Sequence, residues 1–306
     1  MNGSNILLET GTNELEIVEF QIQKNNFGIN VAKVKEIIRY EKTFKIPKAH
    51  PCIHGMFKWR DSVVSVIDLP KYLNLDSEKI YSNRDFFLIT YFNKTMVAFI
   101  VSNVIGIKRL SWEEIEKPSS TIYGEVDGII NGVVKNSDGL VSILDFEKIL
   151  TDISPGTGIQ VSSVAKMGNK ARNHKPILIV DDSQTLSRMI EDCLTKAGYQ
   201  DLITASNGKE AWDILQKIKE QDDKPPNELL SCVISDIEMP QMDGHHLTKR
   251  IKEDPVLHTI PVILFSSLIS EDMKQKGEKV GANAQISKPE IVNLINVIDG
   301  LIENKL

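Results

Sequence analysis

Short runs of β-branched and aromatic residues recur through the first half of the chain, at 17–22, 63–67, 86–91, 96–101, 129–134 and 140–144. Gly, Asn and Asp, residues that end strands, punctuate these runs, so this half is predicted to be mainly β. From Lys175 onward the pattern changes. Apolar runs at 177–180, 232–234, 261–265 and 284–286 alternate with stretches whose apolar positions fall at helical spacing. The first such stretch carries Leu186, Met189, Ile190, Cys193, Leu194 and Ala197, and the last carries Ile291, Leu294, Ile295, Ile298 and Leu301. Alternating βα units predict a doubly wound parallel sheet. Between the halves, the segment 151–175 is rich in Gly, Ser, Asn and Lys and keeps neither period. The chain is therefore divided into a β domain over 13–153, a linker over 154–174 and an α/β domain over 175–302.

The β half repeats itself. GMFKWRDSVVSVID at 55–68 lies over GVVKNSDGLVSILD at 132–145, with Gly55/Gly132, Lys58/Lys135, Asp61/Asp138, Val64/Val141, Ser65/Ser142 and Asp68/Asp145 identical. Each copy reads as strand, polar turn, strand. Two copies of one hairpin predict a pseudo-symmetric β domain, two small barrels or sheets sharing a core.

Composition narrows the function classes. The 306 residues are 41% hydrophobic and 25% charged, with a net charge of −6, the profile of a globular chain; the acidic balance argues against nucleic acid as the main partner. Cys52, Cys193 and Cys232 lack any C-x-x-C spacing, which speaks against a disulfide framework or a zinc site and fits a reducing cytoplasm. No uncharged apolar run approaches the roughly 18–20 residues that cross a bilayer, and the polar start MNGSN has no signal-peptide pattern, so neither export nor membrane insertion is expected.

Chemistry gathers at the predicted C-terminal ends of the parallel strands, where doubly wound folds bind ligands. Asp181 and Asp182 follow ILIV, Asp236 follows CVIS, Ser266 follows VILF, and Lys288, before Pro289, follows AQIS. Three carboxylates on one edge repel one another unless a hard cation sits among them, and oxygen ligands suit Mg²⁺. Mg²⁺ keeps positions open for phosphate oxygens. Asp236 is then the candidate nucleophile toward a phosphoryl group, with Lys288 neutralising one equatorial oxygen and Ser266 donating to another. His245 and His246, after Gly244, read as a solvated helix face, and Trp212 and Met189 as core.

ILIVDDS at 177–183, DIEMPQMDG at 236–244, PVILFSS at 261–267 and KP at 288–289 resemble two-component response-regulator receivers in order and spacing. The resemblance implies a five-stranded flavodoxin-like parallel sheet. It implies Asp181, Asp182, Asp236 and the backbone carbonyl of Ile237 around Mg²⁺, Asp236 as phosphoacceptor, Ser266 as the switch hydroxyl and Lys288 as the phosphate-binding lysine. A cis Lys288–Pro289 bond is also expected. Gln285 stands where that family often has an aromatic residue.

Before residue 155 no catalytic constellation appears. His50, Cys52 and His54 read as ordinary loop residues rather than metal ligands. Lys33, Lys35, Arg39, Lys42, Lys45 and Lys48, interrupted by Glu36 and Glu41, read as a solvated face. FGINVAKVKEIIRY at 27–40 and HGMFKWRDSVVSVIDLPKYL at 54–73 are similar to CheW-type coupling domains, which pair two five-stranded β-barrels and would account for the repeat. That resemblance implies docking on chemoreceptor cytoplasmic tips and on the CheA histidine kinase, with Arg39, Arg60, Ile37, Ile38 and Val63 as candidate contacts. Asp61 replaces the glycine usual after that arginine, so a different turn tip is expected. Coupling domain plus receiver implies a cytoplasmic chemotaxis scaffold at receptor arrays, adjusted by phosphorylation of Asp236 and without turnover of its own. A phosphate sink is compatible with the same residues. Transcription control would need a helix-turn-helix with a basic recognition helix, and a gated enzyme a nucleophile–base pair or metal motif in the first half; the sequence displays neither.

Overall fold

A computed structural model describes residues 14–75, 80–116, 128–136, 139–164, 175–220, 229–267 and 271–303. Along the chain, the boundary between two compact units falls between Gly158 and Ile159. In the first unit, β1 (Glu14–Ile22), β2 (Asn25–Asn30), β8 (Asn103–Ser111), β9 (Ile130–Asn136) and β10 (Gly139–Leu144) form one sheet in the order β8-β1-β2-β10-β9. β3 (Val34–Arg39), β4 (Ile53–Trp59), β5 (Ser62–Ile67), β6 (Phe86–Phe92) and β7 (Thr95–Val101) form the other, in the order β3-β6-β7-β5-β4. The plans match: an antiparallel hairpin (β1–β2 or β6–β7) is joined in parallel to a second hairpin (β9–β10 or β4–β5). Because β3 to β7 are contiguous in sequence, the second sheet is an insertion between β2 and β8 of the first.

The repeated glycines and aspartates of the sequence now have physical reasons. Phe44, beyond β3, exchanges both backbone hydrogen bonds with Met56 of β4 at 2.7 and 2.8 Å, curling the second sheet closed. Glu116, beyond β8, does the same with Val133 of β9 at 3.0 and 2.8 Å. Each glycine sits beside this closure: a Cβ on Gly55 would stand 2.6 Å from the Phe44 carbonyl oxygen, and one on Gly132 would stand 2.1 Å from Cγ2 of Ile115. The aspartates end each copy by capping a helix. Asp68 accepts from the Lys71 N–H at the start of α1 (Leu69–Tyr72), and Asp145 accepts from Glu147 and Lys148 N–H at the start of α2 (Phe146–Ile153). Asp138 of the repeat lies outside the described residues. Replacing Asp145 with alanine is expected to cost about 1 kcal/mol of unfolding free energy in urea titration. Asp68→Ala should cost more, because Asp68 also accepts from the Tyr81 hydroxyl at 2.5 Å.

The two sheets share one core. Val18, Phe20 and Ile29 from the first meet Leu88, Phe99 and Val101 from the second and Phe146 and Ile149 from α2, with the Phe146 ring edge-on to Phe99 at 4.7 Å. Alternate positions of β6 and β7 point the other way and fill the second barrel, with Phe57, Val64, Phe87, Ile89 and Ile100 buried together. Lys33 departs from the solvated face expected of it. It is buried, and its Nζ lies 3.1 Å from Oε1 of Glu147, tying the turn before β3 to α2. At the β4–β5 tip the left-handed residue is Arg60 (φ 54°), one position earlier than Asp61.

The second unit is a five-stranded, all-parallel sheet: β11 (Ile177–Val180), β12 (Leu202–Ala205), β13 (Cys232–Ser235), β14 (Val262–Ser266) and β15 (Ala284–Ser287), in the order β12-β11-β13-β14-β15. Ile177 and Ile179 pack into one core with α4 (Gln184–Ala197) and α8 (Ile291–Glu303). Leu178 and Val180 pack on the opposite face with α5 (Gly208–Glu220) and α6 (Gly244–Glu253). α7 (Glu271–Lys279) connects β14 to β15. Met189 and Trp212 are half-buried against these cores. The segment read as a linker is not uniform. Ile159 and Val164 are buried in the α4/α8 core, with Val164 ending a short helix α3 (Val161–Val164), while 165–174 lies outside the described residues. Among the described residues no helix is long and apolar enough to cross a membrane.

Candidate functional site

Parallel strands bring their C-terminal ends to one edge of the sheet, and the loops leaving β11, β13 and β15 carry the three groups that meet there. Lys288 is 3% exposed, and its Nζ lies 2.7 Å from Oδ2 of Asp236 and 2.9 Å from Oδ2 of Asp181. Carboxylate oxygens of Asp181, Asp182 and Asp236 lie within 4.8 Å of one another; Asp181 and Asp236 are buried and Asp182 half-buried. Backbone groups fix the carboxylates. Asp181 Oδ1 accepts from Ser183 N–H at 2.9 Å and Asp236 Oδ1 from Ile237 N–H at 2.6 Å. Ser183 in turn caps α4 by accepting from Leu186 N–H. Ser266 is buried, lies across from Ser287 in register, and joins the group through its carbonyl, which accepts from Lys288 N–H at 3.0 Å. Every peptide bond among the described residues is trans, Lys288–Pro289 included, contrary to the cis bond expected from the motif.

The Asp236 loop is held tightly from beneath. Gly244 N–H donates to the Ile237 carbonyl at 2.9 Å, and a Cβ on Gly244 would stand only 2.0 Å from the Asp236 carbonyl oxygen, so the start of α6 must be glycine. With that bond made, Ile237 has one remaining carbonyl lone pair to offer a cation. Asp243 caps α6 by accepting from His246 N–H at 2.7 Å. His245, expected on a solvated face, is buried, and burial with the nearby Lys276 charge pushes its imidazole down to about 4. Gln285 donates to the Lys274 carbonyl of α7 at 2.7 Å, so the residue at the usual aromatic position is tied to that helix.

The donor set is oxygen-only and anionic, and the Lys288 ammonium offsets one of three carboxylates, which fits a hard divalent cation. Burial raises the Asp181 carboxyl to about 6, opposed by Lys288 and reinforced by Asp236. This value lies above that of the unfolded chain, so the metal-free fold is penalised for ionising Asp181 above pH 6 and relieved as pH falls toward 4. Cation binding requires the ionised form. Apparent Mg²⁺ affinity, followed by calorimetric titration, is therefore expected to fall about tenfold per pH unit below about 6; an affinity flat between pH 5 and 7 would remove Asp181 from the ligand set.

In the first unit the candidate contact residues divide. Ile37 (36% exposed) and Val63 (71%) face outward, whereas Ile38 packs inward against the barrel core. Arg60 is held at its hairpin tip: its guanidinium lies 4.4 Å over the Trp59 ring and donates at 2.7 Å to Glu36 Oε2, which also accepts from Trp59 Nε1 at 3.0 Å. Arg39 stacks 4.1 Å over Phe86. His54 bonds the Tyr40 hydroxyl at 3.0 Å, while His50 Nδ1 accepts from Cys52 N–H.

Comparison with known proteins agrees with both halves. Residues 16–154 match the CheW-like domain and residues 177–299 the response regulator receiver domain. Over 285 residues the chain is 30% identical to chemotaxis protein CheV3 of Helicobacter pylori, covering 90% of each. It is 23% identical to chemotaxis protein CheV1 of the same organism over 95% of this chain and 94% of that one. It is also 22% identical to sensor histidine kinase CheAY of H. pylori, over 88% of this chain and 32% of the kinase.

Proposed function

This chain belongs to the CheV family of chemotaxis proteins, a CheW-like domain followed by a receiver, and from that premise we propose that Asp236 takes phosphate from the CheA histidine kinase to adjust receptor–kinase coupling by the first domain. The protein is a chemotaxis coupling scaffold with a phosphorylatable receiver, and its family is not a known enzyme family. The observation that carries the proposal is the convergence of Lys288 on the carboxylates of Asp181 and Asp236 in a buried, oxygen-lined cluster.

In the transfer, an Asp236 carboxylate oxygen attacks the phosphorus of a phosphohistidine. A P–O bond forms, the P–N bond breaks, and the imidazole nitrogen leaves with the electron pair and takes a proton from solvent. Asp181, Asp182 and Asp236 would hold Mg²⁺, which when bound supplies charge neutralisation on the phosphoryl oxygens. Lys288 moves from the carboxylates onto the phosphoryl group, and the Ser266 hydroxyl donates to it. The acyl phosphate carries about −1.5 to −2 where the carboxylate carried −1, so the product adds up to roughly one negative charge beside β14 and β15.

For docking, Ile37 and Val63 supply apolar surface, with Arg39 stacked on Phe86 and Arg60 placed by Trp59 and Glu36 beside them. Ile38 is set aside because it faces the core. The test is reconstitution with receptor cytoplasmic fragments and CheA. The chain should raise kinase activity and phosphorylation of Asp236 should change that activation, whereas Arg60→Ala with Val63→Asp should weaken co-sedimentation about tenfold or more. Unchanged kinase activity and co-sedimentation across these proteins would refute coupling through this face. Location at receptor arrays follows from the same contacts.

A further inference from the structure

Ile159 and Val164 are buried, 4% and 1% exposed, among Ile190, Leu194, Leu294 and Ile298 of the second unit, with Val161 half-buried beside them. They form a strap that lies against α4 and α8. Both of these helices hang from the acidic site. α4 begins at Gln184 behind Ser183, whose N–H is held by Asp181 and whose hydroxyl oxygen caps the helix. α8 begins at Ile291, three residues beyond Lys288. With Asp236 unmodified, Lys288 spans Asp181 and Asp236 and so ties the starts of the two gripping helices together.

A phosphoryl group on Asp236 takes Lys288 from that bridge, and with it the polar tie between the starts of α4 and α8, leaving their apolar packing to hold them. We infer that the segment Ile159–Val164 is a releasable output strap of the receiver, docked while Asp236 is unmodified and loosened when Asp236 carries phosphate. The inference rests on the reading of Asp236 as the acceptor. It identifies two sites, the acidic cluster and the α4/α8 groove, and one element with two discrete positions, which is what energetic coupling requires. Release would add 159–164 to the tether between the domains, roughly 12–15 Å of root-mean-square reach for a flexible chain of six residues.

The experiment uses the intact protein with Mg²⁺ and phosphoramidate as the small-molecule donor. Phosphate stoichiometry is read by intact mass and hydrogen exchange by peptides covering the strap. Amides at 161–164 are expected to exchange about tenfold faster or more in the phosphorylated chain, while those of α5, which does not grip the strap, stay unchanged. Full phosphorylation with exchange at 161–164 unchanged or slowed would overturn the inference and leave the acceptor assignment standing; absence of phosphate on Asp236 would overturn both. In a reciprocal arm, Val164→Asp should tighten beryllofluoride binding by the same factor, and an unaltered affinity would count against the strap.

Discussion

Phosphate transfer from phospho-CheA to the intact chain is expected to require Mg²⁺, to vanish in Asp236→Ala, and to slow about 10²–10³-fold in Lys288→Ala. The last effect follows from the geometry of the unmodified site. Lys288 is buried and bonded to both Asp181 and Asp236, so it is already desolvated and aimed where the phosphoryl charge develops. Removing one preorganised donor of this kind typically costs that much in rate. The same substitution removes the charge that holds the Asp181 carboxyl down, so in the metal-free site Asp181 should move further above about 6. Radiolabel incorporation at saturating Mg²⁺ separates the two effects, because the cation holds Asp181 ionised but does not replace the missing ammonium. Label persisting in Asp236→Ala would mean another acceptor, and a wild-type rate in Lys288→Ala would mean that the lysine only compensates buried charge.

Lys33→Met should destabilise the first unit by about 3–5 kcal/mol, the usual result of leaving one member of a buried ion pair alone. Lys33 and Glu147 have side chains 7% and 10% exposed, with Nζ and Oε1 3.1 Å apart. Water cannot readily reach Glu147 when Lys33 is gone. Its carboxylate must then stay desolvated without the Lys33 ammonium or take up a proton, and either outcome costs stability. The double replacement Lys33→Met, Glu147→Leu removes both charges and is expected to recover most of the loss. Calorimetric melting of the four proteins closes the cycle. A single replacement costing under about 1 kcal/mol, or a double replacement no better than the single, would show that the pair is effectively hydrated.

These two predictions also mark what could be read from the chain. The acidic site was legible because Asp181, Asp236, Ser266 and Lys288 each follow an apolar run, and parallel strands carry such ends to one edge. The hairpin repeat was legible too, down to the glycines and aspartates that close and cap it. Lys33 was not: with Lys35, Glu36 and Arg39 close by it reads as one of a run of solvated charges, and Glu147 lies 114 residues away. His245 was misread for a related reason, since a polar pair after Gly244 carries no sign that α6 is pressed against the Asp236 loop. Strands with little apolar signature also escaped notice. β12 is four residues long, and β3 alternates partly buried positions with exposed Lys35, Ile37 and Arg39 on an edge. The lower part of the presumed linker looked structureless because three apolar residues among Gly and Ser make no period, yet they suffice to fill a groove that helices α4 and α8 supply.

The nesting of one sheet inside the other bears on how the chain emerges from the ribosome. By the time Val101 has been made, β3 to β7 are all present and the inner sheet can assemble, whereas β1 and β2 must wait for β8, β9 and β10. Until then Phe20 and Phe27, which end up buried, have no outer sheet to complete their cover. Nascent chains stalled near residue 101 should therefore be the ones that engage chaperones, and completion of β10 should release them.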